Sequence, residues 1–399
     1  MSTLRRFPLW LSASNRPGIG VFAILFFIEA MARASILSVV PLQAYALFQD
    51  KQTVSFLYTS VAVFGLCVSL ILPLLIRAIT RKWVYTLGAS SLVACFLFLW
   101  SYTEVGQVAG MMCRTFATAC LNTAISLYIM DFIRKEDLVR NDAVRLSLST
   151  ISWTFAPYIG IWLYEHEGPG ATFLWAGSWA VLLAIVFWYY RMSDHIAISP
   201  AKSVPSSPLS AIPRFVSQPR LRLAWLIAFT RSAFWTTAFI YAPLLMVTTG
   251  QSGTTSGIVI AGLNIVLATC YPWGRLGERI GIRPVSTICF VLMGACLLAA
   301  GAAGEVWPLI AAGLLVVGAI FAAGLDAVAA VPFYRAVKPR ERPQMTSVYR
   351  TFLDIGELLP TMIYGVLLGF FGLGSVFVAL GIFSLIVSMV AWRYVPKGM

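Results

Sequence analysis

Eight ionisable residues interrupt long apolar stretches of this chain: Glu29, Arg33, Arg114, Arg231, Asp326, Arg350, Asp354 and Glu357. Four are acids and four are arginines. A charge at the centre of a bilayer costs roughly 2.5–3.5 kcal/mol on insertion scales, so residues of this kind face a water-filled path or one another. Glu29 and Arg33 are spaced i,i+4 in the acid-first order that favours pairing on one helix face. Arg350, Asp354 and Glu357 fall at i, i+4 and i+7, one stripe that Thr361 extends. The chemistry open to such a set is proton binding and release. Burial favours a protonated carboxyl and a neighbouring arginine an ionised one, so a change of surroundings can move the proton. Glu29 is the leading proton site, with Arg33, Arg114 or Arg231 as the competing partner. Three other readings stand beside it: a static Glu29–Arg33 pair, Asp354 or Glu357 as the proton site, and a stripe that pairs with Asp326. Arg350 lies toward a segment end and reads as structural. Trp235, one turn beyond Arg231, can stack a planar or cationic solute or simply pack the wall.

The elements that must hold these residues are membrane helices. Of 399 residues 59% are hydrophobic and 11% charged, where soluble domains carry about 25% charged residues. A soluble enzyme, a disordered regulator and a disulfide scaffold are thereby excluded. Apolar segments run over 18–48, 53–76, 84–101, 106–133, 143–164, 171–190, 221–248, 253–273, 284–301, 306–333, 345–371 and 374–394, most of them about the 20 residues a bilayer requires. The one long connection, 192–219, is rich in Pro and Ser and suits a flexible linker. The chain is therefore expected to divide into a bundle over 1–191, a linker over 192–219 and a second bundle over 220–399.

The net charge of +13 is a topology signal. With the N-terminus and even-numbered loops on one side, that side holds 24 of the 29 Lys and Arg, and the opposite loops hold only Lys51. Basic loops are cytoplasmic, so both termini are expected there and a nucleic-acid partner is not. The seven cysteines lie in apolar runs without metal or redox spacing, and both histidines, His166 and His195, sit in connections. No metal site and no cofactor is expected. Arg5, Arg6 and Arg16 precede the first apolar run with no small-residue cleavage site after it, which reads as an uncleaved first helix.

The two halves repeat. Pro41 and Pro243 are offset by 202 residues, Pro73 and Gly274 by 201, Pro157 and Pro360 by 203. Such near-constant spacing implies two six-helix units related by a pseudo-two-fold axis along the membrane normal. By the same offset Glu29 corresponds to Arg231 and Arg33 to Trp235.

The chain resembles the major facilitator superfamily of secondary transporters, most specifically at Gly274, Glu278, Arg279, Gly281 and Arg283 between segments 8 and 9. That motif is a gate in the family: glycines permit a tight turn, and the acid meets helix N-termini and basic residues of a neighbouring helix. Glu278 replaces the usual Asp. The first-half counterpart departs further, with Arg77 at the acid position and Thr80 at the second Gly, and Asp131 is a substitute partner for Arg77. Ala156, Pro157 and Gly160 look like a degraded helix-5 antiporter motif, although a Pro among small residues is also ordinary packing material. Arg114 stands where proton-coupled members often carry an arginine.

The resemblance implies an all-α polytopic fold with 12 transmembrane helices, segments 1, 4, 7 and 10 lining a central cavity. It also implies a multi-pass protein of the cell membrane, a monomer in a lipid bilayer, taking a small-molecule substrate and no cofactor, with the proton as coupling ion. The expected activity is proton-coupled export of a small organic or amphiphilic solute by alternating access. The alternatives are uptake of an organic anion clamped by the arginines and a lipid flippase on the same fold. An intramembrane enzyme has no support, because no Ser/His pair or metal cluster falls within the apolar runs.

Overall fold

The computed structural model describes residues 19–132, 138–190, 208–329, 331–337 and 342–396. No strand occurs among them. The helices are α1 (Ile19–Ala34), α2 (Val39–Phe48), α3 (Lys51–Trp100), α4 (Glu104–Phe132), α5 (Leu138–His166), α6 (Pro169–Tyr189), α7 (Pro208–Val216), α8 (Pro219–Thr248), α9 (Gly253–Ile265), α10 (Cys270–Ile280), α11 (Ile282–Ala303), α12 (Pro308–Val328), α13 (Val331–Ala336), α14 (Arg342–Leu368) and α15 (Gly374–Tyr394). Four of them, α6, α7, α8 and α12, open on proline, whose missing N–H costs nothing in a first turn. The exposed side chains include many large apolar ones, among them Ile71, Leu97, Tyr271 and Met389, an exterior suited to lipid. Ten spans of the described residues are long and apolar enough to cross a membrane. Of the twelve expected segments, the fourth and fifth are not among those ten. Both are diluted by polar residues, Gln107, Arg114 and Asn122 in α4 and several serines and threonines in α5.

Proline places the breaks. Pro41 cannot donate to the Leu37 carbonyl and its ring crowds that oxygen, so the first segment is divided into α1 and α2 by a turn at 35–38. Pro272 does the same to Ala268, and a 3₁₀ turn, Val266–Thr269, separates α9 from α10. Pro157, Pro243 and Pro360 lie within helices that continue past them.

The connection between the second and third segments differs from expectation: it is helical, so that α3 runs over 50 residues. A straight helix of that length would be about 75 Å long. Yet Gln43, at most about 29 Å of chain from Lys51, donates to the Leu99 carbonyl at 2.8 Å. The two ends of α3 therefore lie on the same side, and the run folds back as two antiparallel passes. At the matching point of the second half the helix stops, because Gly281 takes φ 94°, a region that Thr80 would enter only at a steric cost.

Helices α1 to α6 pack mainly among themselves, α3 on α4 and α1 on α5 and α6, and α8 to α15 likewise, α11 on α12 and α15. Three contacts join the groups: α5 with α9, α3 with α14, and α2 with α8. All three involve the ends away from the basic loops, called here the far end; the other is the basic end. Where α5 crosses the break in the first segment, a Cβ on Gly160 would collide with the Ser35 carbonyl, and the Gly160 carbonyl itself accepts from Thr172. Gly274, by contrast, has only Ala327 at 4.0 Å. Gly160→Ala should lower the thermal midpoint of the detergent-solubilised protein, an overpacking cost of about 1–3 kcal/mol. Gly274→Ala should leave it level or slightly raise it. Equal effects would remove the steric account.

Candidate functional site

A cavity of about 620 Å³ lies between the two helix groups. Arg33, Arg114 and Trp153 reach it from the first group, and Arg231, Trp235, Arg350, Asp354 and Glu357 from the second. Helices α3 and α14 also line it, through Tyr58, Ala62 and Leu353 among others. α12, the tenth expected segment, contributes none of the lining. The reason is the crossing of α3 and α14 at the far end, which leaves their inner faces bordering the space toward the basic end.

The charges sort into two kinds. Arg33 donates to Glu29 at 2.8 Å and has its guanidinium 5.6 Å from the Trp153 ring centre. Glu29 itself does not line the cavity. It is 1% exposed, and its second oxygen has no partner among the described residues. Its charge reaches Tyr85, whose buried hydroxyl also lacks one. In the second group Arg231 donates to Asp326, and Trp235 donates to the other carboxylate oxygen at 2.9 Å. Trp235 further stacks on Phe239, with centroids 5.5 Å apart, and Arg231 lies over Phe352. Of the sequence alternatives for Asp326, pairing with the α14 stripe is not the arrangement found.

The second kind has no such partner. Among the described residues no hydrogen bond or ion pair reaches the charged groups of Arg114, Arg350, Asp354 or Glu357. Arg350 and Asp354 sit one turn apart on α14, where each feels the other's charge. Arg114 on α4 and Glu357 on α14 act on one another, and both act on Tyr58. They belong to opposite helix groups.

The cavity is sealed toward the far end by polar contacts between the groups. Buried Ser55 meets the Tyr241 hydroxyl and donates to the Thr361 carbonyl at 2.8 Å, and Thr59 donates to the Thr361 hydroxyl at 3.2 Å. Further out, Glu165 accepts from the Gly253 N–H, and from the Thr254 N–H and hydroxyl, so a carboxylate of α5 caps the N-terminus of α9 where the helix dipole favours an anion. Lys51 pairs with Glu305, which also accepts from the Leu373 N–H at 3.1 Å. The Lys51 hydrogen bond, assisted by Leu373, holds the Glu305 carboxyl below its ordinary value against the opposing effect of burial.

The helix-5 residues border this seal. Ala156 is buried against Met31 and Ala34, and Gly257 of α9 fits close to Ile161, Tyr158 and the Pro157 carbonyl. At the basic end, Gly281 forms the turn, Gly277 packs on Val328, and Arg283 stacks on Trp392 at 4.5 Å. Glu278 and Arg279 are exposed and form no ion pair among the described residues. The side chains of Arg77 and Asp131, and the linker through residue 207, lie outside them. Sequence reasoning missed the seal: nothing in the spacing of Lys51, Glu165 and Glu305 points across the two halves.

A family model for the Major Facilitator Superfamily matches residues 22–271 and 224–398. No curated protein sequence matches the chain. Among solved structures, the nucleoside transporter NupG is similar at 15% identity with TM-score 0.69, over 94% of this chain and 98% of its own. A POT family transporter in complex with 5-aminolevulinic acid reaches TM-score 0.75 at 12% identity, over 96% of each chain. A bacterial homologue of the iron transporter ferroportin, in an inward-facing state, reaches 0.72 at 14%, over 94% of this chain and 98% of its own.

The seal is testable by access. With Ser55→Cys as reporter, Glu165→Ala combined with Lys51→Ala should speed labelling by a membrane-impermeant maleimide applied from the far side; unchanged labelling would remove both contacts from the gate. Because the Glu305 carboxyl is lowered from 4.5, its ionised form is retained as pH falls to that value and lost below it. The ratio of labelling rates without and with the Lys51–Glu305 pair, which cancels the loss of thiolate with falling pH, should therefore stay flat down to about pH 4.5 and fall toward one only below.

Proposed function

The chain belongs to the Major Facilitator Superfamily, and from that premise we propose that this membrane transporter exchanges protons for a small organic solute by alternating access. Export is the favoured direction. Residues 1–191 and 220–399 act as the two rocking units, joined by the linker over 192–219. The basic end is cytoplasmic, so the conformation described has its cavity shut off from outside.

One observation carries this reading: a cavity of solute size between the two groups, walled by ionisable residues and closed at one end by contacts that join those groups. A volume of about 620 Å³ falls within the roughly 300–1,000 Å³ of small-molecule sites. The polar part of the seal consists of hydrogen bonds and an ion pair, which water can replace at little net cost when the groups part.

Glu357 is the proposed proton carrier. It lies on the cavity wall, faces Arg114 on the opposite group and has no ion-pair partner, so its protonation changes the charge a solute meets. Glu29 sits behind the wall, and its proposed role is to hold Arg33 in place. The alternation itself supplies the coupling: closing the cavity strengthens Arg114's influence on Glu357, and opening it admits water.

Proton movement can be followed without knowing the solute. In proteoliposomes loaded with a pH-sensitive dye, solutes selected by thermal shift at two pH values should provoke a proton flux. Glu357→Gln should abolish that flux while Glu29→Gln retains part of it; the reverse pattern would move the proton to Glu29, and loss of flux in neither would end the proton-coupled reading. In cells, collapsing the proton gradient should raise accumulation of the transported solute. A fall instead would mean uptake.

A further inference from the structure

The unpaired charges of the cavity describe what belongs between them. Arg33 is neutralised by Glu29, and Arg231 by Asp326 with Trp235 as a second donor. Arg350 and Asp354 answer one another along a single helix face. Arg350 and Asp354 are no more ion-paired than Arg114 and Glu357, but both lie on one wall. Arg114 and Glu357 are opposite in sign on opposite walls, not in ion-pair contact yet close enough for each to feel the other, with Asp354 acting on Glu357 as well. Tyr58 lies within reach of both.

Closing the cavity strips water from both groups. An uncompensated charge in such a space is strongly unfavourable, and three solute types fail to compensate. An anion satisfies Arg114 and leaves the Glu357 carboxylate bare unless the proton stays on it, which would end the exchange; a cation satisfies Glu357 and leaves Arg114 bare. A neutral solute wedged between the walls separates the two from each other and satisfies neither. A solute carrying both signs satisfies both at once. The rest of the lining is mixed: Tyr58, Phe239, Ile240, Trp153 and Leu37 present aromatic and aliphatic surface, beside polar side chains such as Thr115, Thr118, Asn122 and Thr236. Trp235 has its N–H committed to Asp326 and so offers only its ring.

We infer that the solute is amphoteric, with an anionic group for Arg114, a cationic group for Glu357 and an apolar body against the aromatic wall between them. This rests on the transport reading above and names the substrate class of the same site. It also makes the proton and the solute's cationic group competitors for one carboxylate, which is how an exchange of one for the other would be enforced.

The test is a binding measurement on the purified full chain and needs no transport. Titration calorimetry is run with four matched probes: phenylalanine, N-acetylphenylalanine as the anion, phenylalaninamide as the cation and N-acetylphenylalaninamide as the neutral form. The same quartets are built on tryptophan and on alanylphenylalanine. In at least one quartet the form carrying both charges should bind about tenfold or more tighter than the other three, the size of a lost charge-assisted hydrogen bond. Glu357→Gln should erase its advantage over the anion, and Arg114→Gln its advantage over the cation, a reciprocal pattern that general misfolding does not produce. Binding led by a singly charged or neutral member, no preference within any quartet, or equal effects of both variants on all four probes would overturn the inference. Solute-driven proton flux with a singly charged compound would overturn it while leaving the transport reading in place; absence of any solute-driven flux would bring down the transport reading instead.

Discussion

An ionised side chain held away from water must meet an opposite charge or stay wetted, and the arrangement around the cavity answers to that requirement. Arg33 finds Glu29 one turn away on its own helix. Arg231 has no acid within reach on α8 and takes Asp326 from α12, which draws those two helices together and turns Trp235 toward the same carboxylate. The pseudo-symmetric positions Glu29 and Arg231 thus solve the same problem differently, one within a helix and one between helices. The pairings leave over Arg114, Arg350, Asp354 and Glu357 on the cavity wall, and of these Arg114 and Glu357 act on one another from opposite groups.

The same requirement shapes the far end. The two helix groups meet there through hydroxyls, a helix N-terminus and an exposed ion pair, set among apolar contacts such as Leu42 and Ile161 on Gly253 and Phe56 on Gly365, and one apolar core runs through both groups. Hydrogen bonds to water replace such contacts when a surface opens, so the net difference is small. Glu165 is central to this arrangement because it ties the end of α5 to the start of α9, and Gly257 lets the neighbouring stretches of those helices approach closely.

Much of this could be read in the residues beforehand. The Pro41–Pro243 spacing marked the repeat and Gly281 the turn that its φ of 94° requires, whereas the break before Pro41 lies within a segment read as continuous over 18–48. Thr80 in place of a second glycine was visible, but the unbroken helical path through it was not, since a reversal without a glycine depends on how the two passes pack. Gly160 stood out only as part of a degraded motif; its close approach to Ser35 is a property of the crossing. Segments 1, 4 and 7 line the cavity as the family pattern implies, whereas the inner wall formed by α3 and α14 follows from their crossing at the far end.

Sequence by itself determined that the chain lives in a membrane as packed helices, which loops carry the basic charge, and which few residues bring charge inside. Those are local matters of composition and spacing, set within a helix turn or a single apolar run. Only the tertiary structure decided which charges are used up and which remain. Arg231 and Asp326 are 95 residues apart, and Arg114 faces Glu357 from the opposite half of the chain. Such partnerships are chosen by helix packing and by the closure of one end of the bundle, interactions that no local pattern along the chain encodes.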